Sequence, residues 1–186
     1  MEKGKIIVIS GPSGVGKNNV IGEFIDQPDL NLAQAISMTS REKRSGERDG
    51  INYDFVTRAF FESAIRDGKL IEHTEFLGNY YGTPIDSVER LRNLGKNVLL
   101  EVEASGAKKI KEKYPDCTTI FIVPSSLDSL EAQIRERRNE EESIVQERLA
   151  KAKGELNLIG NYKFVVNNDD PKLAGELCAL IIKRNI

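Results

Sequence analysis

The sequence predicts an α/β fold, a parallel sheet with helices on both faces, and three observations favour it. Short apolar runs alternate with helical stretches along most of the 186 residues, and this alternation is typical of parallel sheets. The first run, 5–10, is almost continuously apolar, as expected of a strand buried on both faces. A glycine-rich loop follows it directly. A chain of this length fits one compact domain with small insertions.

Local composition assigns the elements in order. Strands are predicted where short runs are rich in apolar and β-branched residues: 5–10, 35–40, 52–56, 70–76, 97–103, 118–123 and 163–167. Helices are predicted where apolar residues recur at helical spacing: 18–26, 60–65, 84–94, 104–113, 127–138, 143–158 and 173–183. Pro28 ends the first helix and Gly95 the third. Residues 78–84 are predicted as a tight turn, and strand–helix alternation is interrupted from about 35 to 96.

The glycine-rich loop predicts a phosphate site. Glycines allow backbone angles and close approaches that a side chain would forbid, so successive N–H groups can point at phosphate oxygens. A helix starting near Lys17 adds its positive end, and the ammonium adds a point charge. This strand–loop–helix order is that of a P-loop NTPase-type sheet; the alternative is a turn without chemistry. The candidate ATP-binding residues are Gly11, Pro12, Ser13, Gly14, Val15, Gly16, Lys17, Asn18 and Asn19.

The two residues after Lys17 depart from the general motif. That motif places Ser or Thr after the lysine, where the hydroxyl reaches Mg²⁺, whereas this chain has Asn18 and Asn19. An asparagine amide offers an oxygen acceptor but has a different shape and no hydroxyl donor.

Composition excludes several classes of function. The formal net charge is −2, so no global basic field attracts nucleic acid. No apolar run approaches the roughly 20 residues that span a bilayer, and no signal peptide is expected at the N-terminus. Cys117 and Cys178 lie in apolar contexts without metal-ligand spacing. We therefore expect a cytoplasmic protein with free thiols, no protein-bound metal site and neither nucleic acid nor membrane as partner.

A polar stretch at 41–50 has two interpretations. It holds four Arg or Lys residues within eight positions, and most charge runs of this kind are solvated loops. Alternatively it is an oxyanion clamp, because Arg41 and Arg44 can both offer planar forks to a phosphate. Tyr81, in the turn at 78–84, either packs in a hairpin or presents its hydroxyl to a ligand. Glu101 and Glu103 end a buried strand, which places them at the ligand edge of a parallel sheet.

These motifs together resemble the guanylate kinase family over nearly the whole chain. The loop 11–17 looks like its nucleotide loop. The stretch 37–56 is similar to its GMP-binding signature, with Arg-x-x-Arg-x-Gly-Glu followed by Asp-Gly-x-x-Tyr. The stretch 78–83, Gly-Asn-Tyr-Tyr-Gly-Thr, is similar to its second GMP segment. Several spaced motifs in the right order are far more specific than the loop alone.

The resemblance implies transfer of a phosphoryl group from MgATP to GMP, giving ADP and GDP in purine nucleotide metabolism. ATP and GMP are then the partners, dGMP is a further possible acceptor, Mg²⁺ enters with ATP, and a monomer and a homodimer both stay open. It also implies a core at 1–34, 97–125 and 158–186, a small mixed α+β GMP-binding insertion at 35–96, and a helical lid at 126–157.

Site residues follow from matching positions. By resemblance, Arg41, Arg44, Tyr53 and Tyr81 hold the GMP phosphate, while Ser37, Glu72, Thr83 and Glu103 lie at the guanine. Lys17, Arg41, Arg137 and Arg148 are the catalytic set, because Lys17 serves the ATP side and the two later arginines belong to the lid. Guanine presents an N–H and an NH₂ on one edge, which suits an ionised carboxylate. Adenine presents a ring acceptor there, so GMP is preferred to AMP.

Two other functions compete with an active GMP kinase. One is a catalytically weak module that binds a ligand or phosphorylated partner through the arginine clamp, and retention of Gly16 and Lys17 argues against it. The other is a nucleoside monophosphate kinase of different base preference, which Glu72 and Thr83 disfavour. Asn19 stands where the family usually has Thr, and Gln133 where it often has Arg. We therefore predict near-normal GMP affinity with reduced turnover.

Overall fold

The computed structural model describes residues 2–136 and 141–186. In those residues, strands and helices succeed one another along the chain, with 3₁₀ turns at Pro28–Leu30 and Ile159–Asn161. The strands are β1 Ile6–Ser10, β2 Leu32–Gln34, β3 Met38–Thr39, β4 Asp54–Phe55, β5 Leu70–Phe76, β6 Asn79–Pro84, β7 Asn97–Glu101, β8 Thr118–Pro124 and β9 Phe164–Asn168. The helices are α1 Lys17–Gly22, α2 Arg58–Arg66, α3 Ile85–Asn93, α4 Ala104–Lys113, α5 Leu127–Glu136, α6 Glu142–Leu156 and α7 Pro171–Lys183.

A five-stranded parallel sheet forms the centre, in the order β2-β7-β1-β8-β9. All five residues of β1 are buried, and alternate ones serve different layers. Ile7 and Ile9 pack with α1, α5, α6 and α7, whereas Ile6 and Val8 pack with α3 and α4. Helices therefore cover both faces, and the α/β fold class is confirmed.

A second, four-stranded sheet lies between residues 38 and 84, in the order β4-β3-β6-β5. Its β3–β4 pair is parallel and its other pairs are antiparallel. A small core of Met38, Phe61 and Ala64 supports it. This sheet occupies the part of the chain where the regular alternation is interrupted.

Two predicted elements in this region were wrong. The strand expected at 35–40 is limited to β3 at Met38–Thr39, and a separate strand, β2, precedes it at Leu32–Gln34. The chain leaves the central sheet after β2 and joins the second sheet at β3. The tight turn expected at 78–84 is the strand β6, and the turn itself is Leu77–Gly78. Both turn residues have positive φ, 50° and 72°, as a two-residue hairpin requires.

Several boundaries also differ from the prediction. The helix expected at 18–26 ends at Gly22, and the strand expected at 52–56 is limited to Asp54–Phe55. Glu141 rather than Ser143 precedes α6 as its N-cap. The last two residues of the helix expected at 127–138 lie outside the described residues. None of the described helices has the length and hydropathy needed to cross a bilayer.

Candidate functional site

The loop between β1 and α1 has the backbone of a phosphate cradle. Gly14 and Gly16 adopt φ of 90° and 87°, which L side chains rarely tolerate. A Cβ on Gly11 would lie 2.5 Å from the Ile122 carbonyl oxygen, so a larger residue would displace the loop from β8. These glycines let the loop turn tightly above the carboxyl end of β1.

Three side-chain hydrogen bonds hold this loop in place, one from Lys17 within it and two from other elements. The Lys17 ammonium donates to the Gly11 carbonyl at 2.7 Å. The Asn168 amide, at the end of β9, donates to the Val15 carbonyl at 2.7 Å. Arg148, from α6, donates to the Ser13 hydroxyl at 3.3 Å. Lys17 therefore lies inside the loop, within reach of a phosphate bound by its N–H groups.

One cleft of about 390 Å³ connects this loop to the second sheet, a volume within the range of small-molecule sites. Its wall begins at the loop, crosses the carboxyl end of β7 and continues along β5 and β6. The predicted residues that line it are Gly11, Ser13, Lys17, Asn18, Ser37, Arg41, Arg44, Tyr53, Glu72, Tyr81, Glu103 and Arg148. The sequence-based site residues from distant positions thus meet in one space.

A buried carboxylate forms the pocket's inner end. Glu72 is only 5% exposed and accepts a hydrogen bond from the Thr83 hydroxyl at 2.7 Å. Ser37 lies 3.0 Å from the same hydroxyl. A Cβ on Gly106 would lie 2.6 Å from the Glu72 carboxylate, so a larger residue there would displace the carboxylate. Burial raises the pKa of Glu72 to about 6, against the lowering effect of its bond with Thr83.

An arginine pair lies at the other end of the second sheet. Both terminal nitrogens of Arg41 donate to the Glu47 carboxylate, each at 2.9 Å, and the Arg44 backbone N–H donates to it too, at 2.9 Å. This pairing raises the pKa of Arg41 and lowers the pKa of Glu47. The Arg41 guanidinium also lies 5.6 Å from the Tyr53 ring centroid. Glu47 therefore holds the fork in a fixed orientation.

Two tyrosines complete this end of the cleft. The Tyr53 and Tyr81 ring centroids are 6.1 Å apart, in an edge-on arrangement. Burial, and then the Glu101 carboxylate, raise the pKa of Tyr53 to about 12. Its hydroxyl is therefore protonated at neutral pH and can donate to an anion.

Helix α6 closes one side of the cleft with two cations and one carboxylate. Arg148, Lys151 and Glu155 are three and four residues apart, so they share one face, and all three line the cleft. Arg148 is 8% exposed and lies 5.6 Å from the Phe76 ring centroid. Lys151 pairs with Glu103 at 2.6 Å.

A few predicted residues do not line the cleft. Thr83 is fully buried behind the wall, where it supports Glu72. Asn18 and Asn19 are both exposed on α1, but only Asn18 lines the cleft. Arg137 lies outside the described residues. The remaining loop residues shape the cradle without contributing side chains to the wall: Pro12, Gly14, Val15 and Gly16.

Sequence reasoning missed several residues that line the cleft, among them Glu47, Lys151 and Phe76. Glu47 belongs to the quoted Arg-x-x-Arg-x-Gly-Glu motif, so its spacing from Arg41 was an available signal. Lys151 follows Arg148 by three residues, and helical spacing could have placed it on the same face. Phe76, at the end of β5, carried no signal, because its contact with both cations depends on how α6 packs against the hairpin.

The raised pKa of Glu72 predicts a pH dependence of nucleotide affinity. The ionised carboxylate can accept N–H bonds at both oxygens, whereas the protonated group turns one oxygen into an O–H donor, and the pKa of Glu72 before binding is about 6. We expect the Kd for GMP to rise about tenfold between about pH 7 and about pH 5 as the proton competes. Isothermal titration calorimetry checks this. A nucleotide phosphate also titrates near about pH 6, so Glu72→Gln, which keeps that titration, is the control. Equal pH profiles for both proteins would contradict the assignment.

Comparison with known proteins gives a consistent result. A sequence model described as guanylate kinase matches residues 3–181. A guanylate kinase of Shouchella clausii (strain KSM-K16) is 45% identical over 181 residues, 97% of this chain and 88% of the relative. One of Bacillus anthracis is 44% identical over 180 residues, with 97% and 88% covered. The crystal structure of guanylate kinase from Anaplasma phagocytophilum has a TM-score of 0.79 and 29% identity, over 98% of this chain and 86% of that one.

Proposed function

Because the chain belongs to the guanylate kinase family, we propose that it transfers the terminal phosphoryl group of MgATP to GMP, giving ADP and GDP. The observation that carries this proposal is the continuous cleft that joins the Lys17 loop to Glu72 and Arg41. A phosphoryl transfer enzyme needs donor and acceptor in one water-poor space. A loop that binds only one nucleotide would not need the second sheet.

The acceptor half is suited to GMP. Glu72 lies deep in the cleft, where its carboxylate can accept from guanine N–H groups while Thr83 and Ser37 fix its position. Arg41 and Arg44 lie in the same cleft and can hold the phosphate with Tyr53 and Tyr81. Because the carboxylate and the arginines lie at different ends of the cleft, the nucleotide would bind with its base at Glu72 and its phosphate at the arginines. Such a pocket discriminates against adenine, which would leave a buried acceptor unmatched.

The donor half provides charge rather than covalent chemistry. The loop amides and Lys17 would hold the ATP phosphates, and Arg148 can reach the same region from α6. Positioning and charge stabilisation are the main requirements of this reaction. The cleft also fits Mg²⁺ entering on ATP, because Mg²⁺ needs only one or two protein oxygens beside phosphates. Asn18 and Glu101 line the same cleft and offer such oxygens, and the ion would neutralise phosphate charge.

We also propose a division of labour along the chain. The parallel sheet and its helices form a core of 1–34, 97–125 and 158–186. The second sheet belongs to a GMP-binding insertion at 35–96, and α5 and α6 belong to a lid at 126–157. In such an arrangement, the closing of α6 over the phosphates would exclude water as a competing acceptor.

The test is GMP-dependent release of ADP from MgATP, measured by a coupled assay. We expect release with GMP, weaker release with dGMP, and about 100-fold less with AMP, since the site would leave polar groups unmatched. GMP binding without ADP release would contradict the proposal in favour of a binding-only module. Equal rates with GMP and AMP would contradict the base preference.

The asparagines after Lys17 predict reduced turnover that substitution can restore. Asn18 lines the cleft whereas Asn19 does not. We therefore expect Asn18→Ser, which restores the hydroxyl next to Lys17, to raise kcat about tenfold with KM for GMP unchanged, because one added ligand to the donor complex is worth about 1.4 kcal/mol. Asn19→Thr serves as the matched comparison and is expected to give a smaller gain. The measurement is kcat for ADP formation in each variant. An unchanged kcat in both variants would show that the amides replace the hydroxyls.

A further inference from the structure

Lys151 lies where three separate parts of the structure meet. It projects from α6, and its ammonium is 2.6 Å from Oε1 of Glu103, the residue that precedes α4. The same ammonium is 3.8 Å from the ring centroid of Phe76, the last residue of β5. A cation this close to an aromatic face is attracted to it. One side chain therefore connects α6, the end of the β5–β6 hairpin and the edge of the central sheet.

The charges around Lys151 explain why it keeps this position. Glu103 and Glu155 both line the cleft near it, and Glu155 is buried and accepts from the Ala104 backbone N–H. Burial and Glu103 raise the pKa of Glu155, whereas Lys17 and Lys151 oppose this. Without Lys151, two carboxylates would face each other with less compensation. Lys151 thus pairs directly with Glu103 and also offsets the negative charge of Glu155.

We propose that Lys151 is a positioning residue that orients the Glu103 carboxylate for recognition of the guanine amino group. This inference rests on the proposed GMP kinase function. Guanine offers three N–H bonds on its edge, one from the ring and two from the amino group. Glu72 can accept two of them, so the remaining amino hydrogen needs another acceptor, and Glu103 lines the same cleft. Lys151 binds Oε1 of Glu103, which leaves Oε2 for the guanine amino group. Because the carboxylate is already oriented, less side-chain freedom is lost when the nucleotide binds.

Inosine monophosphate provides the probe, because its base keeps the ring N–H but has no amino group. The experiment compares kcat and KM for GMP and inosine monophosphate in the wild type, Lys151→Met, Lys151→Arg and Lys153→Met. Lys153 is an exposed lysine of the same helix and is the matched control. We expect Lys151→Met to lower kcat/KM about tenfold for GMP, the effect of one charged hydrogen bond, and less than about threefold for inosine monophosphate. Lys151→Arg and Lys153→Met are both expected to keep the wild-type ratio of kcat/KM for GMP to that for inosine monophosphate.

A double variant separates positioning from a general loss of structure. If Lys151 acts through Glu103, then Glu103→Gln/Lys151→Met discriminates between the two nucleotides no worse than Glu103→Gln alone. Equal losses for both nucleotides in Lys151→Met, or fully additive effects in the double variant, would overturn the inference. Failure of the wild type to phosphorylate GMP would instead contradict the proposed function. Calorimetric binding of GMP without ATP then still reports on Lys151, because it requires no turnover.

Discussion

Replacing Lys17 by methionine is expected to lower kcat by about a thousandfold, with GMP affinity near that of the wild type. Methionine keeps most of the side-chain volume but removes the charge that the structure places inside the loop, 2.7 Å from the Gly11 carbonyl. A positioned charge that acts on the transferred group contributes about 10²–10³ in rate. Single-turnover ADP formation measures the loss, and calorimetry with GMP measures binding separately.

The control for this prediction is Lys172→Met, which removes an exposed lysine on α7. It is expected to leave kcat unchanged and so excludes a general effect of net charge. Thermal unfolding of the Lys17 variant should stay close to that of the wild type, because the side chain is only partly buried and belongs to neither hydrophobic core. A Lys17→Met protein that retains kcat within about threefold would show that the loop does not hold the donor phosphates.

Replacing Arg41 by methionine is expected to weaken GMP binding about 100-fold while leaving the affinity for ATP unchanged. Arg41 offers a planar fork, and Glu47 holds it by two hydrogen bonds of 2.9 Å. A bidentate charged pair with a phosphate contributes roughly two hydrogen bonds of about 1.5 kcal/mol each. Calorimetry with each nucleotide alone measures the two affinities independently.

The substitution also leaves the Glu47 carboxylate without its arginine partner, and two further variants separate this effect. Arg41→Met/Glu47→Gln removes the uncompensated charge. We expect the double variant to bind GMP as weakly as Arg41→Met does, and to have a higher free energy of unfolding than Arg41→Met. Arg48→Met removes an arginine of the same polar stretch and is expected to bind GMP normally. If the double variant bound GMP as the wild type does, charge repulsion by Glu47 rather than loss of the clamp would account for the single variant.

Local patterns predicted four of the five strands of the central sheet, all except the edge strand β2. Continuous burial of β1, helical stripes and the glycine loop each depend on neighbouring residues, so the order of strands and helices could be deduced from the chain. The change of sheet between β2 and β3 could not be deduced, since Ala35 hydrogen-bonds to Leu99 in one sheet while Ser37 accepts from Asp54 in the other. That change of partner depends on residues far along the sequence, and so does the two-residue turn at Leu77–Gly78.

The order of amino acids was enough to identify the chemical groups: the phosphate loop, the arginine pair, the tyrosines and the carboxylates, each with a short motif around it. Which of them share a cleft, and what each contacts, depends on folding. It buried Glu72 behind Gly106 and raised its pKa, paired Arg41 with Glu47, turned Asn18 rather than Asn19 to the cleft, and placed Lys151 between Glu103 and Phe76. Desolvation and pairing arise from atoms brought together by folding, so they are properties of the packed structure rather than of any one segment.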